Sequence, residues 1–347
     1  MKSTPRAELP VIDPALTDRS RRKIKYLRVS VTDRCNYRCA YCMPAEGFVP
    51  TARAAVLTLE EIATFVRLMA ELGVERVRLT GGEPLIRRDL VRLVGWIAET
   101  PGIREVAMTT NGHLLDRHAA ALHAAGLRVL NVSVDTFDRD RFAAITRGGD
   151  LDRVVAGLRA ATAAGFERIR VNVVAIRGVN DGELAAIAHR CWAEGWLPRF
   201  IELMPIGGLG FQAEERRIET PAILAELGAT LPLRHVGRPG GDLPRGPAEY
   251  WVVTEGPAAG RELGIISPMS DDGFCAACNR ARLTARGGLR ACLADDREVS
   301  ILQNLRAGAP REVLIAQIRE AVEGKRPAHL MGSPATIPLA VMTGLGG

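Results

Sequence analysis

The sequence predicts an α/β fold: six strand–helix units curled into a partial (β/α)6 TIM-like barrel, then a smaller α+β unit. Three observations predict it. From Leu27 to Leu203, short runs of β-branched and apolar residues alternate with segments of helical period. Strands separated by helices pair in parallel through right-handed crossovers. The alternation stops after Pro205, in the Gly-rich stretch Ile206-Gly207-Gly208-Leu209-Gly210, which reads as a linker.

Residues 1–24 are polar, contain prolines and end in Arg19-Ser20-Arg21-Arg22-Lys23, so they are expected to form a mobile N-terminal arm. Residues 25–210 are assigned to the barrel. Strands are expected at 27–31, 74–80, 105–110, 127–135, 168–175 and 199–203, with helices at 59–72, 89–99, 115–125, 151–164 and 183–194. Residues 211–347 form the second unit. It should hold a helix at 221–227, a Pro/Gly-rich loop at 239–247 and strands at 250–254 and 263–267. Groups at the C-terminal ends of the barrel strands are where chemistry is expected.

The 347 residues are 47% hydrophobic and 25% charged, as in an ordinary globular protein. No stretch approaches the roughly 20 apolar residues of a membrane helix and no secretory signal opens the chain, so a cytoplasmic enzyme is expected. A net charge of +6 would suit a nucleoside triphosphate or a nucleic acid. It is a weak signal, because 42 of the 46 basic residues are arginine and only Lys2, Lys23, Lys25 and Lys325 are lysine, a general compositional bias. Seven cysteines fall into two tight groups and a stray, Cys191. Such clustering reads as metal rather than disulfide, and Cys191 as a buried helix residue.

The first group, Cys35-Asn36-Tyr37-Arg38-Cys39-Ala40-Tyr41-Cys42, directly follows the first strand. Structural zinc usually takes four protein ligands in paired knuckles. Three thiolates on a [4Fe–4S] cube instead leave one iron open for an exchangeable ligand. A zinc or redox loop stays open as the alternative. The C-x3-C-x2-C spacing, with Tyr41 before its last cysteine, resembles the signature of the radical SAM superfamily. That resemblance implies a cluster whose open iron chelates S-adenosylmethionine (SAM) and whose electron cleaves it to a 5′-deoxyadenosyl radical. Thr80-Gly81-Gly82-Glu83-Pro84 resembles the family's GGEP motif, where glycine permits close backbone approach. Tyr41, Gly82, Ser133 and Met204 are thereby implied as SAM contacts.

Near the C-terminus Cys275, Cys278 and Cys292 form a second triad, and Arg280 and Arg282 follow Cys278. A Cys3His zinc site would need the distant His235 or His329. Both triads, with the segments 27–35, 78–84, 109–112 and 199–204 and the terminal Gly346-Gly347, resemble the GTP 3′,8-cyclase family of molybdenum cofactor biosynthesis. The resemblance runs from Tyr26 to the terminus. It implies a second [4Fe–4S] cluster that binds substrate, and GTP contacts at Arg28, Arg78, Thr109, Arg170, Arg199, Arg280 and Arg282. Relatives often have lysine where Arg170 stands. Roles in catalysis are implied for Arg28, Arg280, Arg282 and the terminal glycines, which enter the active site in the family. An unidentified electron donor and cyclic pyranopterin monophosphate synthase, the next enzyme, are the implied partners, and a homodimer stays open. Two alternatives are another radical SAM enzyme with an auxiliary cluster, such as a peptide-modifying maturase, and a zinc-stabilised nucleic-acid binder.

Overall fold

The computed structural model describes residues 15–206, 213–238 and 246–331. Within them the strands are β1 (Tyr26–Ser30), β2 (Arg76–Thr80), β3 (Glu105–Thr110), β4 (Leu127–Ser133), β5 (Arg168–Ala175), β6 (Leu197–Glu202), β7 (Leu233–Gly237), β8 (Glu249–Val253), β9 (Glu262–Ile266), β10 (Arg280–Leu283), β11 (Gly288–Arg290) and β12 (Val299–Ser300). The helices are α1 (Leu59–Glu71), α2 (Leu90–Ala98), α3 (Leu115–Ala124), α4 (Arg139–Thr146), α5 (Leu151–Ala163), α6 (Leu184–Ala193), α7 (Ala213–Arg216), α8 (Thr220–Gly228), α9 (Gly273–Ala276), α10 (Leu302–Arg306) and α11 (Arg311–Glu323).

Helix α1 shows why the period is so readable. Its apolar positions Ile62, Phe65, Val66 and Met69 are buried against the sheet. Thr58 closes a capping box, its hydroxyl accepting from the Glu61 amide while the Glu61 carboxylate accepts from the Thr58 amide, which satisfies two orphan donors. Asp138 and Asp150 cap α4 and α5 more simply, each carboxylate accepting from the amide three residues on, of Arg141 and of Arg153. The expected element list lacks α4, which presents only Phe142, Ile145 and Thr146 to the core.

All twelve strands join one sheet, in the order β12-β11-β10-β1-β2-β3-β4-β5-β6-β9-β8-β7. Strands β1 to β6 run parallel in sequence order, as six βα units require. The chain after the barrel returns to both edges: β10 pairs parallel with β1 and β9 parallel with β6. Hairpin-like antiparallel strands complete each side. Buried apolar residues on the strands and their covering helices form one large core, with a small separate cluster of Ala248, Tyr250 and Ile266.

The N-terminal segment differs from the mobile arm expected for 1–24. Leu16 and Ile24 are buried, and Arg22 donates to the carbonyls of Cys275 at 2.7 Å, Arg326 at 2.7 Å and Pro327 at 3.0 Å. Residues 15–24 therefore fasten onto the C-terminal unit; the remainder of the arm lies outside the described residues. No helix among the described residues is long and apolar enough to cross a membrane.

Candidate active site

Parallel register sets the site. Arg282 of β10, Arg28 of β1 and Arg78 of β2 are direct neighbours across three strands. Tyr26 and Arg28, like Arg280 and Arg282, are two apart and share a face. Their side chains line one cavity together with Thr109, Ser133, Asp135 and Glu202, at or just past the C-terminal ends of barrel strands, and with Asn131, Asn172 and Arg199 from within theirs. Tyr41, Met204, Cys275, Cys278 and Cys292 line it too.

The arginines crowd one another at the cavity wall. Arg78 donates from Nε to the Tyr26 hydroxyl and from Nη1 to Thr109 Oγ1 at 3.2 Å. Arg199 donates from Nη2 to Asn172 Oδ1 at 2.6 Å. Burial, followed by mutual repulsion, lowers the pKa of Arg28 and Arg199, and holds Arg282 at about 10. The charges acting on them most are one another's and those of Tyr26, Tyr250, Cys278 and Cys292; no carboxylate is among these. Buried cations facing a cavity in this way want an anionic occupant. Arginine forks fit phosphate oxygens.

Cys35, Cys39 and Cys42 lie half-buried in the loop after β1. Burial pushes Cys35 up to about 11 and Cys42 up to about 12, and holds Cys39 well above the thiol range. Such thiols become ligands when a metal receives the thiolate. Tyr41 carries the loop into the cavity, where its hydroxyl donates to Asp135 at 2.8 Å. Asp135 also accepts from the Val174 amide, but burial still lifts it to about 6.

Gly82 does not line the cavity. A Cβ there would stand 2.1 Å from the Arg34 carbonyl oxygen and 2.4 Å from its carbon, while the Gly82 amide donates to Thr32 O and the Glu83 amide to Arg34 O, both at 2.8 Å. The Gly-Gly-Glu-Pro turn is thus the backing of the cysteine loop. Glu83, fully buried, ties it to β3 by accepting from Thr110 Oγ1, the Asn111 amide and the Leu85 amide. Burial outweighs those donors and raises Glu83 to about 7.

In the second triad, burial raises the Cys278 thiol, but Arg280 and Lys325 more than offset it and bring Cys278 down to about 6. Arg280 Nε donates to Cys278 Sγ at 3.3 Å. The two histidines a Cys3His site would need are otherwise engaged. His235 Nε2 pairs with Glu249 at 2.6 Å and His329 Nε2 with the Pro268 carbonyl at 2.6 Å. Among the described residues no three His, Cys, Asp or Glu side chains converge where a single ion could sit. A zinc gathers its sulfurs about 2.3 Å from one centre, whereas a cube places each on a different iron. Three thiols in one loop, as at Cys35, Cys39 and Cys42, are a donor set that suits such a cube.

A family model described as the Radical SAM superfamily matches residues 29–191, and one described as Molybdenum Cofactor Synthesis C matches 198–331. The GTP 3′,8-cyclase of Pelotomaculum thermopropionicum is 46% identical over 320 residues, covering 91% of this chain and 95% of the relative. This chain belongs to the GTP 3′,8-cyclase family. The Moorella thermoacetica member is 43% identical over 333 residues, 96% of this chain and 100% of the relative. The crystal structure of Streptococcus suis SuiB bound to precursor peptide SuiA has a TM-score of 0.61 at 12% identity, over 88% of this chain and 69% of that one, a likeness of fold. As a radical SAM family member, the chain uses a [4Fe–4S] cluster and SAM.

Arg170, buried on β5, does not line the cavity. Burial, then the charge of Arg199, lowers it to about 9, and its Nε meets no hydrogen-bond partner among the described residues. Cys191 is buried in α6. Gly346 and Gly347 lie outside the described residues.

Sequence reading missed Tyr26, Asn131, Asp135, Asn172, Phe274 and His329 as lining residues. It also missed Glu202, which ends β6 and joins the two halves of the chain. This buried carboxylate accepts from the Thr220 amide at 2.7 Å, Thr220 Oγ1 at 2.8 Å, and the Met269 and Ser270 amides at 2.9 and 3.0 Å. With the Ser270 hydroxyl, which also donates to it, five donors offset the burial of this side chain, and sequence gives no count of donors. In Glu202→Gln an amide NH2 would face those donors, so a loss of about 2 to 3 kcal/mol is expected in urea unfolding.

Proposed function

We propose that the chain converts GTP to (8S)-3′,8-cyclo-7,8-dihydroguanosine 5′-triphosphate, with reductive cleavage of SAM to 5′-deoxyadenosine and methionine, the first step of molybdenum cofactor biosynthesis. The observation that carries this is a cavity lined by Tyr41 of the first cysteine loop, the whole second triad and five arginines, Arg28, Arg78, Arg199, Arg280 and Arg282. Cys35, Cys39 and Cys42 would hold the first cluster, which when bound supplies the electron for SAM cleavage. Tyr41, Ser133 and Met204 border the SAM side, with Gly82 acting through the loop it supports. Cys275, Cys278 and Cys292 would hold a second cluster, at whose free position the guanine is held. Arg28, Arg78, Arg199, Arg280 and Arg282, with Thr109, receive the triphosphate. Arg170 reinforces their field from below. Binding both reactants in one cavity lets the chain contribute position, its main lever when cofactors carry the chemistry.

Residues 25–210 would supply the SAM half and 211–347 the substrate half, with the terminal Gly346 and Gly347 as further catalytic residues and residues 15–24 fastened to the substrate half through Arg22. A cytoplasmic location fits seven unpaired cysteines. A one-electron donor must supply the reductant, and a cyclic pyranopterin monophosphate synthase would take the product.

The test is an anaerobic assay of reconstituted protein with SAM and dithionite, supplied with GTP, ATP or no nucleotide. Mass analysis should find 5′-deoxyadenosine together with an isomer of GTP in the GTP arm alone, and neither with Cys35→Ala. SAM cleaved beside unchanged GTP would overturn the substrate assignment.

A further inference from the structure

Lys325 is an unusual residue in this chain. Lys23 and Lys25 are exposed, whereas Lys325, just past the end of α11, is 4% exposed. Its ammonium donates to the Arg280 carbonyl at 2.9 Å and to the Ala291 carbonyl. Arg280 lies two residues after Cys278 and Ala291 directly before Cys292. Lys325 therefore spans the start of β10 and the end of β11, the two points from which these cysteines are hung.

No carboxylate among the described residues forms an ion pair with it. The negative groups that act on it are Cys278 and Cys292, against the repulsion of Arg282 and Arg280. A buried ammonium with two carbonyl partners and no counter-ion is costly. Anionic sulfur ligands are the compensation at hand.

The residues that follow continue the same pattern. The His329 amide donates to Cys275, and the carbonyls of Arg326 and Pro327 receive Arg22, which also holds the Cys275 carbonyl. The segment 325–329 thus forms a strap across all three cysteines.

We propose that Lys325 is a positioning residue for the second cluster: it ties together the two strand ends that carry Cys278 and Cys292 and holds a positive charge beside their sulfurs. The proposal rests on the two-cluster reading above. Outer groups that orient ligands commonly govern metal retention and tune potential through local charge.

The full chain, Lys325→Met and the double variant Cys278→Ala/Cys292→Ala are reconstituted anaerobically with iron and sulfide. Iron per chain is counted, and the reduced clusters are followed by EPR during potentiometric titration. The full chain should hold about eight irons and the double variant about four. Lys325→Met should fall toward about four, keep the first cluster's SAM-responsive signal, and reduce any remaining second cluster at a more negative potential. Full iron content with unchanged potentials would overturn the proposal. Loss of the first cluster as well would overturn it too, by marking a general folding defect. Equal iron in the full chain and the double variant would instead bring down the two-cluster reading, and this inference with it.

Discussion

Gly82→Ala is expected to empty the first cysteine loop while the second triad keeps its iron. The added methyl would meet the Arg34 carbonyl at 2.1 Å and the Asp33 oxygen at 2.9 Å, all backbone atoms of the strand end that leads into Cys35. Backbone cannot rotate aside as a side chain would, so the loop must shift. Two hydrogen bonds at 2.8 Å hold the turn and the loop together, and both would be strained. Overpacking of this kind costs about 1 to 3 kcal/mol, well within what a large core tolerates. The fold should survive by circular dichroism, with iron content reduced by about four atoms per chain. Formation of 5′-deoxyadenosine should drop by about 100-fold or more, since supporting-shell changes alone cost 10 to 100-fold in metal affinity. Unchanged iron content would show that the turn can yield without moving Cys35.

Arg280→Ala is expected to separate the two halves of the reaction. Arg280 stands against Cys278, with its guanidinium 4.9 Å from the Phe274 ring centroid, and lines the cavity on the side of the second triad. Removing a charged donor from a buried site costs about 1.5 to 3 kcal/mol per hydrogen bond, or about 10 to 150-fold. GTP turnover should therefore fall by about 100-fold, while SAM cleavage measured without GTP changes by no more than about threefold. Equal losses in both assays would place Arg280 in the support of the whole cavity rather than at the substrate.

Much of the barrel was legible because helices and strands here carry strong periods. Strands β3 and β5 coincide with the expected 105–110 and 168–175, and α1, α2, α3, α5 and α6 lie within one or two residues of expectation. Helix α4 was not, since its charged first turn hides three buried positions. Strands β10, β11 and β12, of four, three and two residues, are too short for alternation to register. The polar segment 15–24 looked free because its anchoring depends on Arg22 reaching carbonyls more than 250 residues away.

The sequence by itself determined the chemistry: two sets of three thiols, one directly after a strand, and a motif specific enough to state the family. Covalent spacing within a loop is local, so it is visible without folding. Which arginines form the cavity was decided by the tertiary structure. In a chain with 42 of them, only parallel register sets Arg282, Arg28 and Arg78 side by side. The same long-range pairing brings β9 and β10 to opposite edges of the barrel, buries Glu202 among donors from two distant segments, and sets Lys325 beside cysteines that precede it by 33 and 47 positions. Those contacts join residues far apart in the chain, and their energy arises only once burial has removed water from between them.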